Sequence, residues 1–137
     1  MNDKWLYYTR QFEGFAPLPY KDSTGHLTVG YGHNLENGIT LKMAEFILKC
    51  DIETAERAVK DKFAWYFKLN DARQFVLIDM AFNMGIARLC TFKKMLAAVE
   101  RGDYTTAAKE MLDSRWALQV KTRAVKLAEM MKTGEYV

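Results

Sequence analysis

The chain has 137 residues, half of them apolar and 27% charged, which suits one soluble domain able to bury a core without metal or disulfide staples. The net charge of +3 is uneven: residues 1–87 stand at −1 and residues 88–137 at +4, which favours a polyanionic partner such as nucleic acid, an anionic membrane or a bacterial cell wall. No run of about 18 apolar residues is present, so no transmembrane helix is expected. The first ten residues, MNDKWLYYTR, lack the apolar stretch of a signal peptide, and accumulation in the cytoplasm of the producing cell is expected. Cys50 and Cys90 are isolated, with no CxxC or Cys/His spacing, and read as buried reduced thiols rather than zinc ligands. Neither a metal nor an organic cofactor is implied.

The spacing predicts a helix over residues 3–13, with Trp5, Tyr8 and Phe12 on one face. Gly14 is suited to end it, and Pro17 and Pro19 block further helix. Residues 19–35 read as small β structure, with Asp22-Ser23-Thr24-Gly25 as a turn and His26 to Val29 alternating polar with apolar. Gly30 and Gly32 bracket Tyr31 and suggest sharp bends or a close backbone approach. Thr40 is a good N-cap for one long helix, about 41–62, which contains neither Gly nor Pro. Beyond it the pattern is helical throughout. A nearly all-apolar helix over about 72–84, capped by Asn70 or Asp71, belongs at the centre of the second lobe. Helices of about 92–100, 104–112 (capped by Asp103) and 121–132 follow, with a short turn capped by Ser114 before the last. Most of the eight methionines lie at core spacing, as gap-fillers.

Chemistry concentrates in FEGFAPLPYKDSTGHLTVGYGH. Glu13 falls at a helix end beside Phe12 and Phe15, which could desolvate it and keep it protonated. Asp22 falls in a polar turn where ionisation is easy, and Thr28 follows on a strand. Two carboxylates in contrasting environments are what glycosidic cleavage requires. By spacing alone, the favoured reading is Glu13 as a solvated helix end and Asp22 as an ordinary turn former.

The stretch FEG-x6-KD-STG-H-LT-VGYGH resembles the catalytic region of the phage T4-type lysozymes, glycoside hydrolase family 24. The similarity extends through GITLKMAEFILKCDIETAERAV, DMAFNMG, GDYTTAAKEMLDSRWALQ and the closing KTGEY. Within it, SRW-x2-Q-x3-R is specific, because folding alone gives no evident reason for it. The resemblance implies an α+β, mainly α, lysozyme-like fold in a single domain. Its small β-containing front lobe would be about 14–40 and its inter-lobe helix about 41–62; its helical lobe would be about 63–137 plus the N-terminal helix.

It implies Glu13 as general acid, Asp22 as the second carboxylate that orients or activates water, and Thr28 as holder of that water. Inversion is implied, and with it a gap between carboxylates wide enough for a water. Arg123 aligns with an arginine that pairs with the catalytic Glu, and His33 with a histidine that pairs with an aspartate on the inter-lobe helix, here Asp51. Phe82 aligns with an aromatic lining the sugar cleft, although a plain core Phe is an equal reading. Asn34, Met95 and Glu110 occupy substrate-binding positions where the family has Leu, Ser and Asn. Only six residues separate His33 from Thr40, so the front lobe is smaller than in the T4 type.

The function implied is a muramidase (EC 3.2.1.17-type) that hydrolyses the β-1,4 bond between N-acetylmuramic acid and N-acetylglucosamine in peptidoglycan, an endolysin for host lysis. A holin or other membrane-permeabilising partner would then be needed to reach the wall. A non-catalytic wall-binding module and a lytic transglycosylase are the alternatives. A nucleic-acid partner is not expected, since the basic residues are interleaved with acids and no binding motif is present. A monomer is expected.

Overall fold

The computed structural model describes residues 1–137. Eight α-helices and a three-stranded antiparallel sheet make the architecture α+β and mainly α, as expected. The chain divides into two compact units, Met1–Phe46 and Ile47–Val137.

The first unit holds α1 (Asp3–Glu13), β1 (Ala16–Lys21), β2 (Leu27–Gly30), β3 (His33–Asn34) and a 3₁₀ turn at Leu35–Asn37. Asn2 caps α1 by accepting the Lys4 N–H, and Gly14 closes it by donating to the Arg10 carbonyl. The sheet starts earlier than predicted because prolines that forbid helix are tolerated on an edge strand. Pro17 and Pro19 lie in β1, which is such an edge; the strand order is β1-β2-β3. β2 is therefore central, and its Thr28 pairs with Tyr20 on one side and Asn34 on the other. Thr28 is also the buried residue of that strand. Within this unit α1 buries none of its side chains.

Helix α2 (Leu41–Lys62) matches the predicted bounds, and the Thr40 hydroxyl accepts the Met43 N–H as its cap. In the second unit α3 (Asp71–Met84) is central, with Val76, Leu77 and Met80 wholly buried. Around it stand α4 (Ile86–Leu89), α5 (Lys93–Glu100), α6 (Tyr104–Leu112), α7 (Arg115–Val120) and α8 (Thr122–Thr133). Asn70, Asp103 and Ser114 each accept an N–H from the first turn of the helix they precede, as predicted. The four-residue α4 and a 3₁₀ segment at Ala64–Lys68 were not predicted, being too short to show a period.

Met80, Met95, Met111, Met130 and Met131 are in the core, which bears out the gap-filling reading for most methionines. Both cysteines are free, but Cys50 is exposed on α2 and Cys90 only half-buried. The burial expected of them is corrected: a lone thiol on a helix takes whichever face its position dictates.

The C-terminus docks onto the start of α3. Arg73 donates through Nε to the Met131 carbonyl at 2.8 Å and through Nη2 to the Lys132 carbonyl at 3.0 Å, satisfying the open end of α8 with a cation. Asn70 Nδ2 donates to the Gly134 carbonyl at 2.8 Å, and the Tyr136 hydroxyl donates to Asp71. No helix in the structure is long and apolar enough to cross a membrane.

Leu77 has no solvent exposure, so Leu77→Ala is expected to cost about 2–5 kcal/mol of stability. Urea unfolding should show a lowered midpoint at unchanged slope.

Candidate active site

Helix α1 ends with Glu13, and the chain reverses at Gly14, whose φ of +71° lies outside the range other residues adopt easily. The Glu13 side chain lies directly against Gly32. A Cβ placed on Gly32 would sit 2.5 Å from Glu13 Oε2 and 2.9 Å from Glu13 Cδ. The close backbone approach expected at these glycines is therefore made by the carboxylate itself. Gly32 also has a φ of +78°, so glycine is required there for both conformation and space.

Phe15 packs against Tyr31, with ring centroids 5.6 Å apart. Phe12 and Phe15 are themselves mostly exposed, so within this unit they do not form the desolvating wall expected around Glu13.

Asp22 is held by a turn rather than by packing. Its Oδ1 accepts from Thr24 N–H at 2.9 Å, Thr24 Oγ1 at 2.9 Å and His26 N–H at 2.8 Å. These donors hold the carboxyl below the ordinary aspartate range, the His26 N–H contributing most and the Thr24 hydroxyl next. All three bonds fall on Oδ1, and Oδ2 has no protein donor. Thr28, only 3% exposed, donates its hydroxyl to the His26 carbonyl at 2.9 Å.

The residues drawn from the resemblance have these local partners. His33 Nε2 lies 3.0 Å from the Gly38 carbonyl. Asn34 accepts the Glu36 N–H at 2.9 Å and so caps the 3₁₀ turn. Asp51 and Phe82 together line a cavity of about 310 Å³ with Ala55, Ala58 and Gly85. Met95 and Glu110 line a different cavity of about 380 Å³, with Lys93, Lys94, Asp113 and Ser114. Met95 is nearly all buried there and belongs to the core as well. Phe82 thus lines one of these two cavities, and Met95 and Glu110 line the other.

Arg123 has a partner that the sequence reading did not name. Its Nε and Nη2 donate to Asp79 Oδ2 and Oδ1, both at 2.8 Å. This bidentate pair lies within the second unit, and it raises the arginine's pKa. Asp79 is the one charged residue inside the apolar run FVLIDMAFNM, and that isolation was the available signal: a buried carboxylate needs a cation.

The SRW-x2-Q-x3-R motif is explained in the same way. Ser114 caps α7, Trp116 Nε1 donates to Asn83 Oδ1 at 2.9 Å, and Gln119 accepts from Arg88 Nη2 at 2.9 Å. With Arg123 bound to Asp79, every named letter except Arg115 has a fold-holding partner. The expectation that folding gives this motif no reason is corrected. No group of three or more His, Cys, Asp or Glu side chains is placed to hold a metal ion.

The first unit thus holds Glu13 seated on Gly32 at the end of α1, Asp22 with a lowered pKa in the turn after β1 and a buried Thr28 on β2. The family model described as phage lysozyme matches residues 10–130, and the chain belongs to that family. It is 26% identical to a probable T4-type lysozyme of Dictyostelium discoideum, with 89% of each chain covered. An endolysin of Acyrthosiphon pisum secondary endosymbiont phage 1 is 26% identical, over 85% of this chain and 80% of the endolysin. The pre-baseplate central spike protein Gp5 of Enterobacteria phage T4 is 28% identical over 91% of this chain but only 27% of that longer protein.

Two outcomes follow from these contacts. Asp79→Ala strands Arg123 and is expected to cost about 1–3 kcal/mol in thermal unfolding. Adding Arg123→Ala should cost less than the sum of the two single changes. Because its pKa is lowered, Asp22 contributes stability above the unfolded aspartate value, and that contribution is lost as pH falls through the folded value. Carboxyl NMR should place its midpoint below 3.8.

Proposed function

We propose that the protein is a lysozyme of the endolysin kind, a muramidase that hydrolyses the β-1,4 bond between N-acetylmuramic acid and N-acetylglucosamine. Membership in the phage lysozyme family supports a glycosidase of this class. The observation that carries the finer reading is the state of Asp22: three hydrogen bonds hold it ionised through one oxygen and leave the other open.

In this mechanism Glu13 gives its proton to the glycosidic oxygen as the bond to the anomeric carbon breaks. A water held near Asp22 Oδ2 attacks that carbon and passes its proton to the carboxylate. Thr28 acts beside it from the central strand, where burial fixes its rotamer. The sugar chain, once bound, covers Glu13 and supplies the desolvation that Phe12 and Phe15 do not. The proposed products are a new reducing end and a free sugar hydroxyl, with no co-reactant other than water. The +4 charge of residues 88–137 suits an acidic wall polymer.

The test is mass spectrometry of muropeptides released from purified peptidoglycan. Reducing N-acetylmuramic ends are expected, and anhydromuramic ends would instead establish a lytic transglycosylase. Glu13→Gln should lower the rate by about 10²-fold or more, through loss of the acid. A folded wild type as inactive as Glu13→Gln would leave only wall binding. Gly32→Ala should also lower the rate, by about 10-fold or more, because its methyl displaces the Glu13 carboxyl.

A further inference from the structure

His26 has no role in that mechanism, yet it touches both residues proposed to handle the water. Its N–H donates to Asp22 Oδ1 at 2.8 Å. Its carbonyl accepts from the Asp22 N–H at 2.9 Å and from Thr28 Oγ1 at 2.9 Å. The backbone of one residue thus joins Asp22 to Thr28. Its ring leaves the hairpin, with Nδ1 2.7 Å from Glu36 Oε2 on the 3₁₀ turn Leu35–Asn37. Glu36 in turn donates its N–H to Asn34, which pairs with Thr28 across the sheet. His26, Glu36, Asn34 and Thr28 therefore close a ring of contacts beside Asp22.

We propose that His26 is a positioning residue: Glu36 clamps its ring, and its backbone thereby keeps Asp22 and Thr28 in fixed relation for the hydrolysis. The inference rests on the muramidase reading and adds to it a pH dependence. The charged groups acting on the imidazole are Glu36, from the 3₁₀ turn, and Asp22, from its own turn. Hydrogen bonding to Glu36 raises the His26 pKa most, followed by the charges of Glu36 and Asp22. The same bond lowers the pKa of Glu36, helped by the Leu27 N–H.

The ion pair is complete between those two displaced values. It is lost as pH falls through the lowered glutamate pKa, or rises through the raised histidine pKa. Both side chains are about half exposed, so the clamp acts on geometry and on pH response rather than as a large source of stability.

Histidine NMR and the pH profile of muropeptide release test this together. Only two histidines are present, and the spectrum of His26→Gln assigns the signals. Glu36→Gln is expected to lower the His26 midpoint, and the alkaline limb of kcat should move down with it. His26→Gln should lower kcat about 3- to 10-fold with little change in KM. His26→Lys keeps a cation throughout this pH range, and should restore most of the rate and remove the histidine's share of the alkaline limb, leaving the fall due to loss of the Glu13 proton. An unmoved His26 midpoint in Glu36→Gln, or a wild-type alkaline limb in His26→Lys, would overturn the proposal. A wild type that releases nothing at any pH would sink the muramidase reading instead, and the titration would still decide whether the clamp exists.

Discussion

The helical unit depends on a single demand: a carboxylate placed in the middle of an apolar helix must be neutralised. Asp79 lies on α3 among side chains with almost no solvent contact, where an unpaired charge would be prohibitive. Arg123 meets it with both prongs of its guanidinium and so draws the start of α8 onto α3. Trp116 to Asn83 and Arg88 to Gln119 fasten α7 to the same stretch of chain. These polar ties are directional, whereas apolar burial around α3 is not. Together they specify which rotation of α7 and α8 the core accepts.

The first unit is organised differently. Its sheet is small, and its order comes from turns and backbone hydrogen bonds more than from packing. Glu13 is seated by a glycine that leaves no room for a methyl, and Asp22 by a turn that folds three donors onto one oxygen. Thr28 is buried because it stands on the central strand. A unit made this way fixes Glu13 and Asp22 by separate local devices. Their environments can therefore differ without a deep pocket, which is the condition for two carboxylates to take opposite protonation states.

Much of this could be read directly from the chain. Asn70, Asp103, Ser114 and Thr40 are caps because a short oxygen-bearing side chain before an apolar period has one common use. Glycines around Tyr31 pointed to close approach, although not to the group that approaches. What escaped reading was pairing. Asp79 and the Gly38 carbonyl, which meet Arg123 and His33 inside their own units, are partners that no local period encodes. Phe12 and Phe15 fell short because both stay mostly exposed, so proximity along the chain did not become a wall around Glu13.

By itself, then, the sequence determined the eight-helix outline apart from its shortest turns, the small sheet, the caps, and the stretch that holds Glu13, Asp22 and Thr28. Those features follow from spacing within a few residues, where backbone geometry is nearly deterministic. Tertiary structure alone decided that Asp79 holds Arg123, that Gly32 seats Glu13, and that His26 and Glu36 brace the Asp22 turn. Each of these is a meeting of side chain with side chain or backbone across a turn or between helices. Such meetings are set by how the elements pack and by which polar groups must not be left alone.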